Sequence, residues 1–370
     1  MLIGVDASRA TLAQRTGTET YSLHLIRALL TLQGNLHPFR LYFNRPPQAD
    51  LFPAESKWEP RVIPLPRLWT HLRLSWEMLR SAPDVMFVPS HVVPLIHPPA
   101  SVVTVHDLGY LRHPWAHPTL SRLYLDISTR YSAGVAARVV ADSEATRADL
   151  LMRYGVAPEK VSVVYPGGGE SRDPSPEDEI ERVRAKYRMP RRYILHLGTV
   201  QPRKNLARLV EAYAILLKTS GTDCHLILAG RSGWGIETLL RRIQSRGLTD
   251  RIHLLGYVPS ADLGPLLSGA QLLVLPSLYE GFGFPLVEAM AAGVPSVASD
   301  VSALSEVAGD AAILVDPLDI DAWAEAMGRG LEDEPLRAEL IERGLERAKR
   351  FSWETSAHGV LAVLEAAAEG

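Results

Sequence analysis

Short apolar runs alternate with longer segments of helical period along almost the whole chain, and few folds accept that order. Runs of four or five residues rich in Val, Ile and Leu suit strands buried on both faces, and the helices between them suit parallel crossovers. In the first half such runs fall at 2–5, 41–43, 85–88, 102–105 and 138–141, with helix-period stretches at 18–32 and 119–136. In the second half they fall at 193–197, 226–229, 252–255, 272–275, 296–298 and 312–315, most of them followed by a helix. The pattern predicts two doubly wound α/β sheets, whose ligands bind beyond the carboxyl ends of the strands.

Length agrees, because 370 residues exceed what one core usually holds. Between the halves, "PGGGESRDPSPEDEIERVRAKYRMPRR" joins Gly, Pro and acidic residues and reads as a linker plus one charged helix. The expected organisation is a first domain at 1–170, a linker at 171–190, a second domain at 191–352 and a last helix at 353–370 suited to packing back on the first domain.

A net charge of −3 argues against a dedicated nucleic-acid binder. Residues 1–170 hold 17 basic and 14 acidic side chains, net +3, and the remainder 22 and 28, net −6, a small asymmetry that at most hints at an anionic partner for the first domain. The single cysteine, Cys224, excludes an internal disulfide and a Cys/His zinc spacing, and reads as a small buried hydrophobe in a reducing cytosol. The start, "MLIGVDAS", has no basic leader, and no uncharged apolar stretch is long enough to span a bilayer. A cytoplasmic protein is expected.

The chemistry concentrates in "EGFGFPLVE", residues 280–288. Glu280 falls on the loop after the run 272–275, where Gly281 and Gly283 let the backbone approach a ligand. Pro285 suits the first position of a helix over "LVEAMAAG", which puts Glu288 in its first turn, with Gly293 as the stop. Free amides at that helix start form an anion site. A sugar–diphosphate–ribose ligand would place hydroxyls on both carboxylates and phosphates between them. A first-turn glutamate serving the helix dipole beside an unrelated loop acid accounts for the pair as well.

A second phosphate element is "LHLGTVQPRKNLARLVEAY", a strand, a Gly-containing turn and "RKN" opening a helix. The chain has only six lysines, and Lys204 beside Arg203 is one of them. Two adjacent cations at a strand's carboxyl end can neutralise a departing diphosphate; the bland alternative is a solvated basic pair. His106 and Asp107 follow the run "SVVTV". That histidine suits a sugar or acceptor contact, and a His–Asp pair fixing a local turn suits the residues equally. In "RTGTETY" Gly17 precedes a helix with Thr18 as a candidate cap.

These motifs resemble the retaining GT-B glycosyltransferases of family 4, and among them the bacterial mannosyltransferase-like group. The resemblance rests on the Glu280–Glu288 spacing, the "GTVQPRKN" turn, "ALSEVAGDAAILVDP", "VTVHDLGYLRHP", "VVADSEATRADLLMRYGVAPEKVSVVYPG" and "FSWETSA", and covers essentially the whole chain. It implies two Rossmann-like domains facing a central cleft. It implies that Glu280 holds the donor sugar, that backbone amides of Phe282, Gly283 and Phe284 meet sugar or phosphate, and that Glu288 takes the ribose hydroxyls. Lys204 and Arg203 would stabilise the diphosphate, and the base would lie near Gly230, Arg231, Tyr257 and Val258. His106 would touch the sugar's 6-hydroxyl, and Gly17 would face the diphosphate and acceptor across the cleft. Thr199 stands where many relatives carry arginine, and Arg203 is a substitute for it.

The implied reaction is metal-independent hexosyl transfer with retention, from a nucleotide diphosphate sugar, GDP-mannose by resemblance, to a glycan or lipid-linked acceptor in cell-surface polysaccharide synthesis. No permanently bound cofactor and no metal are expected. "DID" at 319–321 matches a metal-holding Asp-x-Asp, but Asp321 precedes a helix and is expected to cap or start it. "AGRSGWG" departs from the dinucleotide fingerprint, so a dehydrogenase is disfavoured. Alternatives are a UDP-sugar-dependent transferase, another GT-B enzyme (a phosphorylase or a sugar-nucleotide epimerase), and a catalytically silent sugar-nucleotide binder. Trp69 and Trp76 with Arg67, Arg73 and Arg80 suit a solvated helix with one packed face, the commoner case, or an anionic membrane surface on the inner face of the membrane.

Overall fold

The structure, a computed structural model, describes every residue except 13, 35, 54–55, 66–67 and 169–173. Arg67 and residues 171–173 of the predicted linker lie outside the described residues. The chain forms two compact units, Met1–Gly167 with Ser352–Gly370, and Gly168–Phe351.

The first unit holds β1 (Ile3–Asp6), β2 (Phe39–Phe43), β3 (Trp58–Val62), β4 (Val85–Val88), β5 (Ser101–Val105), β6 (Arg138–Ala141) and β7 (Val161–Val163). They make one parallel sheet in the order β3-β2-β1-β4-β5-β6-β7. Its two edges are the strands that hydrophobic patterning passes over. β3 reads "WEPRV" and is largely exposed, so it offers no apolar run, and Pro60 is tolerated because it sits at an edge. β7 has three residues, too few to show a period.

The second unit holds β8 (Tyr193–Leu197), β9 (His225–Ala229), β10 (Ile252–Gly256), β11 (Leu272–Leu275), β12 (Ser296–Ser299) and β13 (Ile313–Val315). Their order, β10-β9-β8-β11-β12-β13, is again all parallel. Alternate residues feed opposite cores, as the pleat requires. Leu195, Leu197, Leu273 and Leu275 pack with Leu286 and Met290 on one face. Ile194, Leu272 and Val274 pack with Leu209, Tyr213 and Trp323 on the other. Cys224 is buried in that second core.

In both sheets the order of strand addition reverses beside the first strand, between β1 and β4 and between β8 and β11. At such a reversal the two crossovers leave on opposite faces and the loops after the strands splay apart, which leaves a crevice for a ligand.

The helix Glu177–Tyr187, within the predicted linker, belongs to the second unit. Its Ile180 and Val183 are buried, and Tyr187 Oη donates to Asp262 at 2.8 Å. The last helix, Trp353–Glu369, belongs to the first unit. Its Trp353 stacks on His24 with ring centres 5.4 Å apart, and Ser356 Oγ donates to the Tyr165 carbonyl at 2.6 Å. Gly167 lies so close beneath that a Cβ there would stand 2.4 Å from the Trp353 amide nitrogen.

Trp69 corrects one expectation. It is buried, with Nε1 donating to the Ile63 carbonyl at 2.7 Å, so it is a core residue and not part of a membrane-facing surface; Trp76 is exposed. Among the described residues no helix is long and apolar enough to cross a membrane.

Candidate active site

The loops after β8 and β11, the strands flanking the reversal of the second sheet, bring Arg203, Lys204 and Glu280 together. After β8 the chain turns through Gly198 and Thr199 into the short turn Pro202–Lys204. Asn205 then adopts a left-handed conformation, φ 57°, which asparagine tolerates better than most residues. Its side-chain amide donates to the Pro317 carbonyl at 2.7 Å. The helix begins only at Leu206. Arg203 and Lys204 therefore stand on a rigid turn before the helix and not, as the spacing suggests, at its first residues.

After β11 the chain crosses back: the Leu278 amide donates to the Arg203 carbonyl at 2.9 Å. Glu280 follows, 8% exposed. Its Oε1 accepts from Lys204 Nζ and from Ser277 Oγ, the latter at 2.6 Å, and its Oε2 accepts from Arg203 Nη1 at 3.0 Å. Arg203 Nη1 also donates to the Tyr279 carbonyl. Burial would push the Glu280 carboxyl up, but the Lys204 and Arg203 charges and the bonds from Lys204 and Ser277 outweigh it and bring the pKa down to about 2. The result is a buried carboxylate, ionised at neutral pH, between two cations.

The backbone of Glu280 is held as firmly, its amide donating to Ser302 Oγ at 2.9 Å. Ser302 makes this contact from φ 46°, a left-handed conformation that is strained for a residue with a Cβ. Gly283, φ 111°, caps the next helix, and a Cβ there would meet Leu304 Cδ2 at 2.7 Å, so only glycine fits.

That helix runs Phe284–Ala291. It starts earlier than the proline implies, which puts Pro285 at its second position and Glu288 in its second turn, not its first. Phe282 is buried with its ring 5.3 Å from Phe284 and 5.5 Å from Phe351, so from this stretch the chain can offer a ligand backbone more readily than the Phe282 ring.

The turns after β8, β9 and β10 are tied together. Gly198 N–H donates to Ala229 O at 2.9 Å and Gly230 N–H to Gly256 O at 2.8 Å. The Arg231 guanidinium lies over the Tyr257 ring, 5.5 Å from its centre, beside the buried Val258. Thr199, Gly230, Arg231, Tyr257 and Val258 thus share one sheet edge with Lys204 and Glu280.

In the first unit His106 follows β5. Its Nδ1 lies 2.7 Å from Asp142 Oδ2 and its Nε2 3.2 Å from the Pro89 carbonyl. The Tyr21 ring stands edge-on at 4.8 Å. With an acceptor at each nitrogen the imidazolium is the satisfied form. Burial opposes the charge, but Asp142 and the Pro89 carbonyl prevail and raise the His106 pKa, while burial raises that of Asp142. The histidine's partner is therefore Asp142, 36 residues on, and not its neighbour. Asp107 fixes the local turn, accepting from the Gly109 amide at 2.8 Å.

Gly17 is exposed and is the first residue of the helix Gly17–Thr31. The cap is Thr16, not Thr18, because Glu19 reaches back to the Thr16 amide at 3.0 Å in a capping box. Likewise Asp319 caps the helix Ile320–Glu332, accepting from the Ala322 amide at 2.9 Å, and Asp321 stands in its first turn, starting the helix and not capping it. Among the described residues no three His, Cys, Asp or Glu side chains cluster as metal ligands.

Sequence reasoning missed Ser277, Ser302 and Asp142. No spacing rule finds them, since each acts through a contact that only the folded loops create.

Two family models match the chain, glycosyltransferase family 4 over residues 15–167 and glycosyl transferases group 1 over residues 177–347. The O-antigen chain mannosyltransferase B of Escherichia coli is 32% identical over 297 residues, 80% of this chain and 78% of that protein. Sucrose-phosphate synthase from Thermosynechococcus elongatus has the same fold, with a TM-score of 0.77 at 21% identity over 99% of this chain and 98% of that one. So does Anabaena HepE, solved in complex with UDP-glucose, with a TM-score of 0.76 at 19% identity over 99% of both chains.

Proposed function

The chain belongs to glycosyltransferase family 4 and is a glycosyltransferase of GT-B fold, and from that premise we propose that it moves mannose from GDP-mannose to a glycan or lipid-linked acceptor in cell-surface polysaccharide synthesis. The observation that carries the proposal is the ionised, buried Glu280 carboxylate between Lys204 and Arg203 at the reversal of the second sheet. The E. coli relative, by its name an O-antigen mannosyltransferase, supports the sugar and the product class.

In this mechanism the anomeric carbon's bond to the diphosphate breaks as its bond to the acceptor oxygen forms on the same face, so configuration is retained. The acceptor proton passes to the departing phosphate oxygen, since no separate base is assigned. Lys204 and Arg203 take up the charge that develops on the diphosphate, a contribution of roughly 3 kcal/mol per well-placed donor. These two cations perform the neutralisation that a metal would otherwise supply. Glu280 holds the sugar's hydroxyls and supports the positive charge growing at the anomeric carbon, a task its low pKa suits.

Amides of Phe282, Gly283 and Phe284 meet sugar or phosphate. Glu288 takes the ribose hydroxyls, with Thr199 beside the diphosphate and Gly230, Arg231, Tyr257 and Val258 around the base. In the first unit Gly17 serves the diphosphate and acceptor. His106 serves the sugar by exchanging its 3.2 Å bond to the Pro89 carbonyl for a hydroxyl.

A cytoplasmic protein resting on an anionic bilayer completes the proposal. Two parts of the first unit expose apolar side chains at helical spacing, Leu72, Trp76 and Leu79 in one and Leu120, Leu123, Tyr124 and Ile127 in the other. Arg80 is exposed beside the first, over the Trp76 ring.

Calorimetric titration with GDP and UDP, then with GDP-mannose and UDP-glucose, tests the donor. Tight binding of GDP and GDP-mannose is expected. Preference for the uridine pair would favour the second reading, a UDP-sugar-dependent transferase, for which the HepE complex is the supporting observation.

A further inference from the structure

His196, on β8, is fully buried beneath the site and belongs to no element of the mechanism above. The ladder between β8 and β11 pairs only Leu272 with Ile194 and Leu273 with Leu195. Just beyond it the Val274 carbonyl is taken by the histidine's Nδ1 at 3.0 Å. A carbonyl can only accept, so Nδ1 carries the proton and Nε2 of the neutral ring carries a lone pair. Burial, followed by the Lys204 charge, holds the pKa at about 4, which keeps that lone pair available.

Nε2 has no hydrogen-bond partner among the described residues. It borders a small space left by Gly198: a Cβ on that glycine would stand 3.5 Å from His196 Nε2, 3.3 Å from Lys204 Cε and 3.5 Å from Lys204 Nζ. An unsatisfied buried acceptor and an ammonium therefore flank one gap that the missing side chain keeps open. An acceptor buried without a donor is costly, and the cation that borders this gap is Lys204.

The geometry assigns His196 as a positioning residue for Lys204, its Nε2 lone pair receiving an ammonium proton across the space above Gly198. Lys204 is then held by His196 as well as by Glu280 Oε1. When the donor's sugar takes hydroxyl contacts on Glu280, the histidine keeps the ammonium aimed at the diphosphate.

This inference rests on the leaving-group role of Lys204, and two isosteric substitutions separate it from simple packing. His196→Asn keeps a donor where Nδ1 meets Val274 and loses the acceptor at Nε2. His196→Gln places an acceptor where Nε2 stands and loses the Val274 bond. The expected pattern is crossed. In GDP-mannose turnover the Asn variant melts like the wild type but loses about tenfold in kcat with donor KM little changed, while the Gln variant melts lower and recovers most of the kcat. Wild-type kcat in a folded His196→Asn protein overturns the assignment, as does a Gln variant slower than the Asn variant. Lys204→Ala runs alongside: if it is fully active the leaving-group reading itself is wrong, whereas a crippled Lys204→Ala with a normal His196→Asn sinks only the role of His196.

Discussion

Arg203 lies 3.0 Å from Glu280 across two loops that leave neighbouring strands, and the same guanidinium nitrogen also holds the carbonyl of Tyr279. The side chain and the backbone of the β11 loop are thereby fixed from one point. A lysine offers a compact charge on a flexible stem, without the fixed N–H directions of a planar guanidinium. Arg203→Lys is expected to lower kcat/KM for the donor by roughly tenfold and to loosen the loop, measurable as faster amide exchange at Leu278, whose N–H donates to the Arg203 carbonyl. Unchanged kinetics and exchange would count against this arrangement.

Glu280→Gln removes the charge that two buried cations share. Turnover is expected to fall by roughly 10²-fold or more. Stability is expected to fall by about 3 kcal/mol, because uncompensated buried charge is costlier than the pair was favourable. Urea denaturation checks the second figure. The depressed pKa also fixes a pH dependence: the wild-type ion pair contributes in full above the unfolded value of 4.5 and is lost as pH falls toward 2. The gap in stability between the wild type and the variant should close over that interval.

Lys204→Ala is expected to cut turnover by roughly 10²-fold while leaving Glu280 paired with Arg203, so the variant should fold. Wild-type activity in that protein would contradict the leaving-group role. Glu288→Ala, by contrast, should chiefly raise the donor's KM.

The His106–Asp142 pair responds to pH in the opposite sense. A raised histidine pKa means that the pair stabilises the fold fully below the unfolded value of 6.5 and loses that contribution as pH rises through the folded value. His106 should titrate above 6.5 by nuclear magnetic resonance, and Asp142→Asn should bring its pKa down. A pKa that does not move in the Asn variant would remove Asp142 as the cause.

Ser302 separates strain from contact. Ser302→Gly relieves the left-handed backbone but deletes the acceptor for the Glu280 amide; Ser302→Ala deletes the acceptor and keeps the strain. Alanine is expected to be the less stable of the two by about 1 kcal/mol in thermal unfolding, with both variants slower than the wild type. Equal stability would mean that the conformation is not strained.

How much of this the residues announce depends on whether the signal is local. The strands at 193–197 and 272–275 are legible to the residue because both faces are buried and the apolar run is unbroken. β3 is not, because an edge strand needs no apolar run, and "WEPRV" looks like a loop. Caps are half-legible: threonine and aspartate mark helix starts at Thr16 and Asp319, but choosing between Thr16 and Thr18 required Glu19 three residues beyond the true cap. In the site, acid and cations stand out as isolated charges in apolar or glycine-rich stretches. Which atoms they meet does not, since Lys204 and Glu280 are 76 residues apart and the Ser302 contact depends on one backbone angle.

The return of Trp353–Glu369 to the first unit has a consequence for biosynthesis. Residues 168–351 are one uninterrupted stretch and can complete their sheet while the ribosome is still at work. The part made first must wait: until Trp353 emerges to cover Gly167 and stack on His24, the earliest seven strands lack their closing helix. The half translated earlier therefore cannot close its fold before the last helix is made.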